Sequence, residues 1–174
     1  MRKLLAITAL FVPLLAFAHG PTPQKVEQTI TINAAPAKVW ALLKDFGNWQ
    51  TWDPAIASTS KLETKDDGVY RTITLKSGGT NYEKLRSADD KEMKLKYEAE
   101  DNSVIAASDY VGTITVTAGP AAGQTTVSWI GHFYRKYMLN PPIPAGQDDE
   151  TADKAVGDLV TTGLAGLKAA AEKK

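Results

Sequence analysis

The middle of the chain is cut at nearly regular intervals by turn-forming residues. Asp67-Gly68, Gly78-Gly79, Asp89-Asp90, Asp101-Asn102 and the AGPAAGQ stretch from 118 to 124 lie mostly eleven or twelve residues apart. Glycine, aspartate and asparagine adopt the backbone angles that reverse a chain, so this rhythm leaves room for a strand between reversals and little else. The intervening segments VYRTITLK (69–76), NYEKLRSA (81–88), EMKLKYEAE (92–100), SDYVGTITVTA (108–118) and QTTVSWIGHFYRK (124–136) have strand composition. Met93, Leu95 and Tyr97 alternate with Lys94, Lys96 and Glu98, which makes one face of the resulting meander dry and the other wet. VEQTITI (26–32) reads as an earlier strand, and a short one is expected around SKLETK (60–65).

A sheet with one dry face needs a cover. The segment from Asp148 to Ala171 supplies it, with Ala152, Val156, Leu159, Val160, Gly163, Leu164 and Leu167 recurring at spacings of three and four along one helical stripe. Its acidic start and basic end suit the helix dipole. A first helix is expected from Pro36, carrying Val39, Trp40, Leu42 and Leu43 until Gly47 breaks it, and a second short one around Trp49 and Trp52. The fold class is therefore α+β: an antiparallel sheet of about seven strands covered on its dry face by a long C-terminal helix, with short helices after the first strand.

Residues 1–18, MRKLLAITALFVPLLAFA, combine two cations, an apolar run and a small-x-small site at Ala16-Phe17-Ala18, the pattern of a cleavable signal peptide. Pro13 interrupts the run, and it is shorter than a membrane span requires. Export to the periplasm is the expectation, with residues 19–174 forming a single domain. Removal of Arg2 and Lys3 leaves 18 cations against 20 anions, a net charge of −2, which offers no attraction to nucleic acid or an anionic membrane. Cysteine is absent, excluding disulfides, thiolate catalysis, covalent haem and a lipoprotein anchor.

Against this background the segment KVWALLKDFGNWQTWDPAI (38–56) is unusual, with three tryptophans and a phenylalanine in nineteen positions. Together with Pro36, the Trp40, Phe46, Trp49, Trp52, Pro54 pattern, the meander, TTVSW (125–129) and the final helix, it resembles the SRPBCC superfamily, which includes START, birch-pollen-allergen-like and polyketide-cyclase-like proteins. The resemblance covers essentially all of residues 19–174 and implies a helix-grip fold with a cavity between sheet and helix. The leader, GHFYRKY (131–137) and a proline-containing loop before the acidic helix start look most like the MxaD-type periplasmic proteins of methanol oxidation. That likeness implies a non-catalytic accessory role, assisting methanol dehydrogenase in its interaction with the cytochrome c that accepts its electrons, and it implies no cofactor. Two other functions stay open: a carrier of a hydrophobic small molecule or lipid, and a cyclase or hydratase.

The residues themselves divide accordingly. Trp40 is expected in the core, while Trp49 and Trp52 suit either core or cavity wall, because apolar pockets and cores use the same side chains. With Tyr110, Trp129 and His132 they are the candidate ligand contacts. Tyr134, Arg135, Lys136, Tyr137, Met138, Pro141 and Pro142 are the candidate partner surface, aromatic and basic residues beside a stiff loop, weighed against a plain solvated strand edge. No catalytic set is evident; Asp53, beside Trp52, suits a turn residue before Pro54 better than a general acid. His19, exposed as a new N-terminus, is a copper ligand in principle, but nothing assigns it a partner set and no metal is expected.

Overall fold

The structure is a computed structural model and describes residues 20–102 and 104–173. The leader, its cleavage site and His19 lie outside the described residues. The chain runs β1 (Gln24–Ile32), α1 (Pro36–Lys44), a 3-10 helix (Phe46–Thr51), β2 (Ile56–Thr59), β3 (Glu63–Lys65), β4 (Gly68–Leu75), β5 (Thr80–Asp89), β6 (Lys94–Asn102), β7 (Ala107–Ala118), β8 (Thr125–Arg135) and α2 (Asp149–Ala171). The strands form one antiparallel sheet in the order β1-β8-β7-β6-β5-β4-β2, with β3 also on β4. This is the antiparallel meander expected from the turn rhythm, in the helix-grip arrangement that the family resemblance implied.

Two boundaries differ. The single short strand expected around 60–65 is a pair, because Ile56–Thr59 pairs with β4 before the chain turns into Glu63–Lys65 on the same strand. Met93 is not in register with Leu95 and Tyr97; it occupies the β5–β6 turn at φ 46°, where side-chain alternation does not apply.

α2 starts at Asp148, whose side chain accepts the Thr151 amide at 2.8 Å and so satisfies one of the donors orphaned at a helix N-terminus. Its stripe of Ala152, Val156, Val160, Leu164 and Leu167 is buried, and α2 packs chiefly on β1 and β8, with smaller contacts to α1 and β7. Glycines set how near it comes. A Cβ on Gly163 would lie 2.6 Å from the Trp129 ring, and one on Gly166 would strike the Trp52 carbonyl and the Pro54 ring. No helix among the described residues is long and apolar enough to cross a membrane.

Because α2 leans on the β1-β8-β7 side, the curved sheet stands away from it on the β4-β5 side. α1 and the 3-10 helix fill part of that gap with Trp40, Leu43, Phe46, Trp49 and Trp52, all buried. The indoles have a second task. Trp49 Nε1 donates to the Leu43 carbonyl at 2.8 Å and Trp52 Nε1 to the Leu42 carbonyl at 3.1 Å, which satisfies two acceptors left open at the end of α1. Trp40 Nε1 donates to Asp90 Oδ1 at 2.6 Å and ties α1 to the β5–β6 turn.

Candidate functional site

What the aromatic residues leave unfilled is a cavity of about 270 Å³ between the inner face of β4 and β5 and the near side of α2. Trp49 and Trp129 wall it together with Tyr97, Ile73 and Leu159, and Ser77 and Asp158 stand at its exposed rim. The rings interlock: Trp49 meets Tyr97 edge to face with centroids 5.2 Å apart, and Trp129 at 6.1 Å. Edge-to-face pairs of this kind each contribute about 0.5 to 1.5 kcal/mol beyond the area they bury.

One wall is polar. Alternation along β4 turns Arg71 inward with Ile73, and the antiparallel register sets Arg71 directly opposite Glu83 and Ile73 opposite Asn81. Arg71 is 0 % exposed. Its Nε donates to Glu83 Oε2 at 2.8 Å, its Nη2 lies 2.6 Å from the same oxygen, and its Nη1 donates to the Phe46 carbonyl. The guanidinium carbon lies 3.7 Å from the Phe46 ring centroid and 4.0 Å from that of Trp49, two rings that stand nearly perpendicular to each other with centroids 5.6 Å apart. Burial of a charge is costly unless it is paired and hydrogen-bonded, and this one is ion-paired with Glu83, hydrogen-bonded through Nε and Nη1, and set against two aromatic rings.

Burial sets the protonation of the carboxyls nearby. Desolvation raises the Glu83 pKa above the ordinary glutamate value; Arg71 opposes the rise and the charge of Asp53 adds to it. Asp53, at the start of the turn into β2, is raised by burial as well, against the Ala55 amide, which donates to its Oδ1 at 2.9 Å, and the charges of Arg71 and Lys76. Behind the cavity, the Tyr97 and Tyr110 hydroxyls lie 3.2 Å apart and Trp129 Nε1 donates to Tyr110 at 3.1 Å. Burial pushes the Tyr110 phenol up to about 12 and Tyr97 well above its usual value. Both are neutral hydrogen-bonding groups at physiological pH.

Of the candidate ligand contacts, Trp49 and Trp129 line the cavity. Trp52 is core, capping α1 away from the void. Tyr110 is buried one layer behind it, touching Trp129 rather than the cavity. His132 is a correction: odd-numbered residues of β8 from Thr125 to Arg135 point inward, so His132 stands exposed on the outer face. The same parity corrects Arg135, expected on an exposed partner surface but only 5 % exposed. Its Nε and Nη2 donate to the carbonyls of Tyr137 (2.8 Å) and Leu139 (3.1 Å), and its Nη1 reaches Asp149 Oδ2 at 3.4 Å, tying the proline loop to the start of α2. Tyr134 and Tyr137 are half-buried, while Lys136, Met138, Pro141 and Pro142 are exposed.

Arg71, Asn81 and Glu83 were not singled out from the sequence. A signal for the first existed: in VYRTITL, Ile73 and Leu75 define the inward parity and Arg71 shares it. A charge on the dry face of a strand is the exception that marks a site.

The family model for "Polyketide cyclase / dehydrase and lipid transport" matches residues 23–172. No curated protein matches the chain. Among solved structures, a protein from Bacillus thuringiensis is similar at 25 % identity and a TM-score of 0.70, covering 86 % of this chain and 100 % of its own. The protein XoxI from Bacillus cereus is similar at 24 % identity and a TM-score of 0.69, covering 84 % and 94 %. The Zhui aromatase/cyclase from Streptomyces sp. R1128 shares the fold at 17 % identity and a TM-score of 0.67, covering 87 % and 94 %. A sheet gripping one long helix around a walled cavity, matched over nearly its whole length, places the chain in the polyketide cyclase / dehydrase and lipid transport family of the SRPBCC superfamily.

Proposed function

We propose that the chain is a non-catalytic carrier that holds a small, largely apolar molecule in the cavity between β4, β5 and α2. The cavity itself carries the reading. Protein interiors pack like organic crystals, with few voids larger than a water, so about 270 Å³ walled by Trp49, Trp129, Ile73 and Leu159 forfeits contacts that an occupant restores. The volume falls at the small end of ligand pockets, near 300 Å³ and fit for one or two rings. The family description, which couples cyclases and dehydrases with lipid transport, supports the ligand class. Binding is favoured over turnover because the polar groups beside the cavity already hold one another, Arg71 with Glu83 and Asp53 with the Ala55 amide. The test is mass spectrometry of organic extracts of protein purified from its own host. A stoichiometric small molecule is expected with wild type and not with Ala155→Trp, which plugs the α2 side of the cavity. Identical extracts from both remove the reading.

A second reading, the accessory role in methanol oxidation, is favoured by Met138 and Leu139, neighbours on the proline loop that are 42 % and 66 % exposed. Adjacent exposed apolar side chains suit a contact surface. In this reading residues 1–18 direct export, the mature protein begins at His19, and the loop meets methanol dehydrogenase or its cytochrome c. Met138→Glu with Leu139→Glu should weaken binding to purified dehydrogenase or cytochrome in surface-plasmon experiments. Unchanged kinetics with both proteins would retire the role.

A further inference from the structure

Asn81 is 1 % exposed, lines the cavity, and among the described residues neither its Nδ2 nor its Oδ1 meets a hydrogen-bond partner. Buried polar groups are almost always paired, and an unpaired one calls for a reason. The charged and hydroxyl groups around it are engaged: Arg71 donates hydrogen bonds through Nε and Nη1 and its Nη2, though without a hydrogen bond, is ion-paired with Glu83, Asp53 holds the Ala55 amide, and the Tyr97 hydroxyl meets Tyr110. Nor does the fold ask for asparagine here. Position 81 faces inward in β5 opposite Ile73, a place where a strand favours an apolar or β-branched residue and where asparagine is depleted.

We infer that the cavity selects uncharged ligands presenting a hydrogen-bond donor beside an acceptor, and that the Asn81 carboxamide reads that edge. The inference rests on the carrier reading and specifies its ligand class. A carboxamide offers N–H on one side and C=O on the other, so its complement is an edge of the same kind: an amide, a lactam, or a hydroxyl next to a carbonyl. Charge narrows the class further. Asp53 and Glu83 both line the cavity and Asp158 stands at its rim, whereas Arg71 is the one cation among the described lining residues and is taken by Glu83 and the Phe46 carbonyl. A carboxylate ligand would enter a wall that already carries an excess of negative groups and offers it no free guanidinium; a neutral ring with an amide-like edge meets Trp49 and Trp129 on its faces and Asn81 at its polar end. Fatty acids and other carboxylates are thereby disfavoured.

Three probes of one shape separate the terms: 1-naphthamide, naphthalene and 1-naphthoate, titrated at neutral pH into the mature protein and followed by calorimetry and tryptophan fluorescence. The amide is expected to bind about tenfold or more tighter than either of the others, since a site built for a polar edge rejects analogues that lack it. Asn81→Leu should bring the amide down to the level of naphthalene and leave naphthalene within about twofold of wild type, because it removes the polar contact and keeps the branched shape, with two methyls in place of the amide oxygen and nitrogen. Asn81→Ala, which needs no repacking space, should lose the same preference. Melting at or above the wild-type temperature is expected for Asn81→Leu, since it removes an unpaired buried group, and identifies Asn81 as serving the ligand rather than the fold. Equal or tighter binding of 1-naphthoate, or an amide preference that survives both substitutions, overturns the inference while leaving the carrier reading in place. Binding of none of the three overturns the carrier reading and this inference with it.

Discussion

At the scale of single residues, burial decides which charges cost and which hold. Asp53 is held above its ordinary pKa chiefly by desolvation, so the native state keeps its proton at pH values where the unfolded chain has released it. Stability therefore falls as pH rises from the model-peptide value of 3.8 through the higher native value. Asp53→Asn retains an oxygen for the Ala55 amide, so it is expected to melt higher than wild type at neutral pH and to flatten that decline; thermal melts against pH check it. Asp67 works in the other direction. Lys84 and Tyr70 hydrogen-bond its carboxylate and lower its pKa to about 2, so its contribution is present above pH 3.8 and is lost as pH falls towards 2. Arg135 gives a prediction of opposite outcome to that of an exposed charge. Arg135→Met strips the Tyr137 and Leu139 carbonyls of their donor and removes the contact to the partly exposed Asp149, and should cost about 1 to 3 kcal/mol in denaturant melts, the penalty of leaving buried acceptors unpaired. A loss under about 0.5 kcal/mol, ordinary for surface substitutions, would return it to the surface.

At the scale of elements, α2 is positioned by what its glycines lack. Gly157 has open space where a Cβ would go, whereas Gly166 faces the Trp52 carbonyl, a backbone atom that cannot swing aside. Gly157→Ala should stabilise by about 0.5 to 1 kcal/mol, the helix-propensity difference, while Gly166→Ala should destabilise by about 1 to 3 kcal/mol through overpacking. Chemical denaturation of the two variants reads both signs. The strands were legible for a matching reason: alternation and turn chemistry are local, so 69–76, 81–88 and 108–118 each fall within one residue of β4, β5 and β7 in the structure. Ile56–Thr59 escaped because four residues are too few to show a period, and its strand character comes from pairing with β4. Met93 misled because alternation was extended one residue into a turn.

At the scale of the whole molecule, the tryptophans, α1, the sheet and α2 share one core, since Trp40, Trp49, Trp52 and Trp129 belong to a single contiguous cluster with Leu95, Val160 and Leu167. Unfolding should then be all-or-none, with tryptophan fluorescence and far-ultraviolet circular dichroism giving superimposable denaturant curves; separated midpoints would mean that α1 and its indoles open apart from the sheet. The longer strands, the final helix and the meander order were legible in the sequence, because hydrophobic period and turn residues act over a few positions and survive without knowledge of partners. It also carried the parity that turns Arg71 inward. It took the packed fold to show that Glu83 and Asn81 stand across from Arg71 and Ile73, that β8 aims Arg135 into the loop and His132 into solvent, and that α2 leans to one side and leaves a cavity on the other. These follow from register and from the closeness that Gly163 and Gly166 permit, and both are relations between segments far apart in the chain, which no local pattern records.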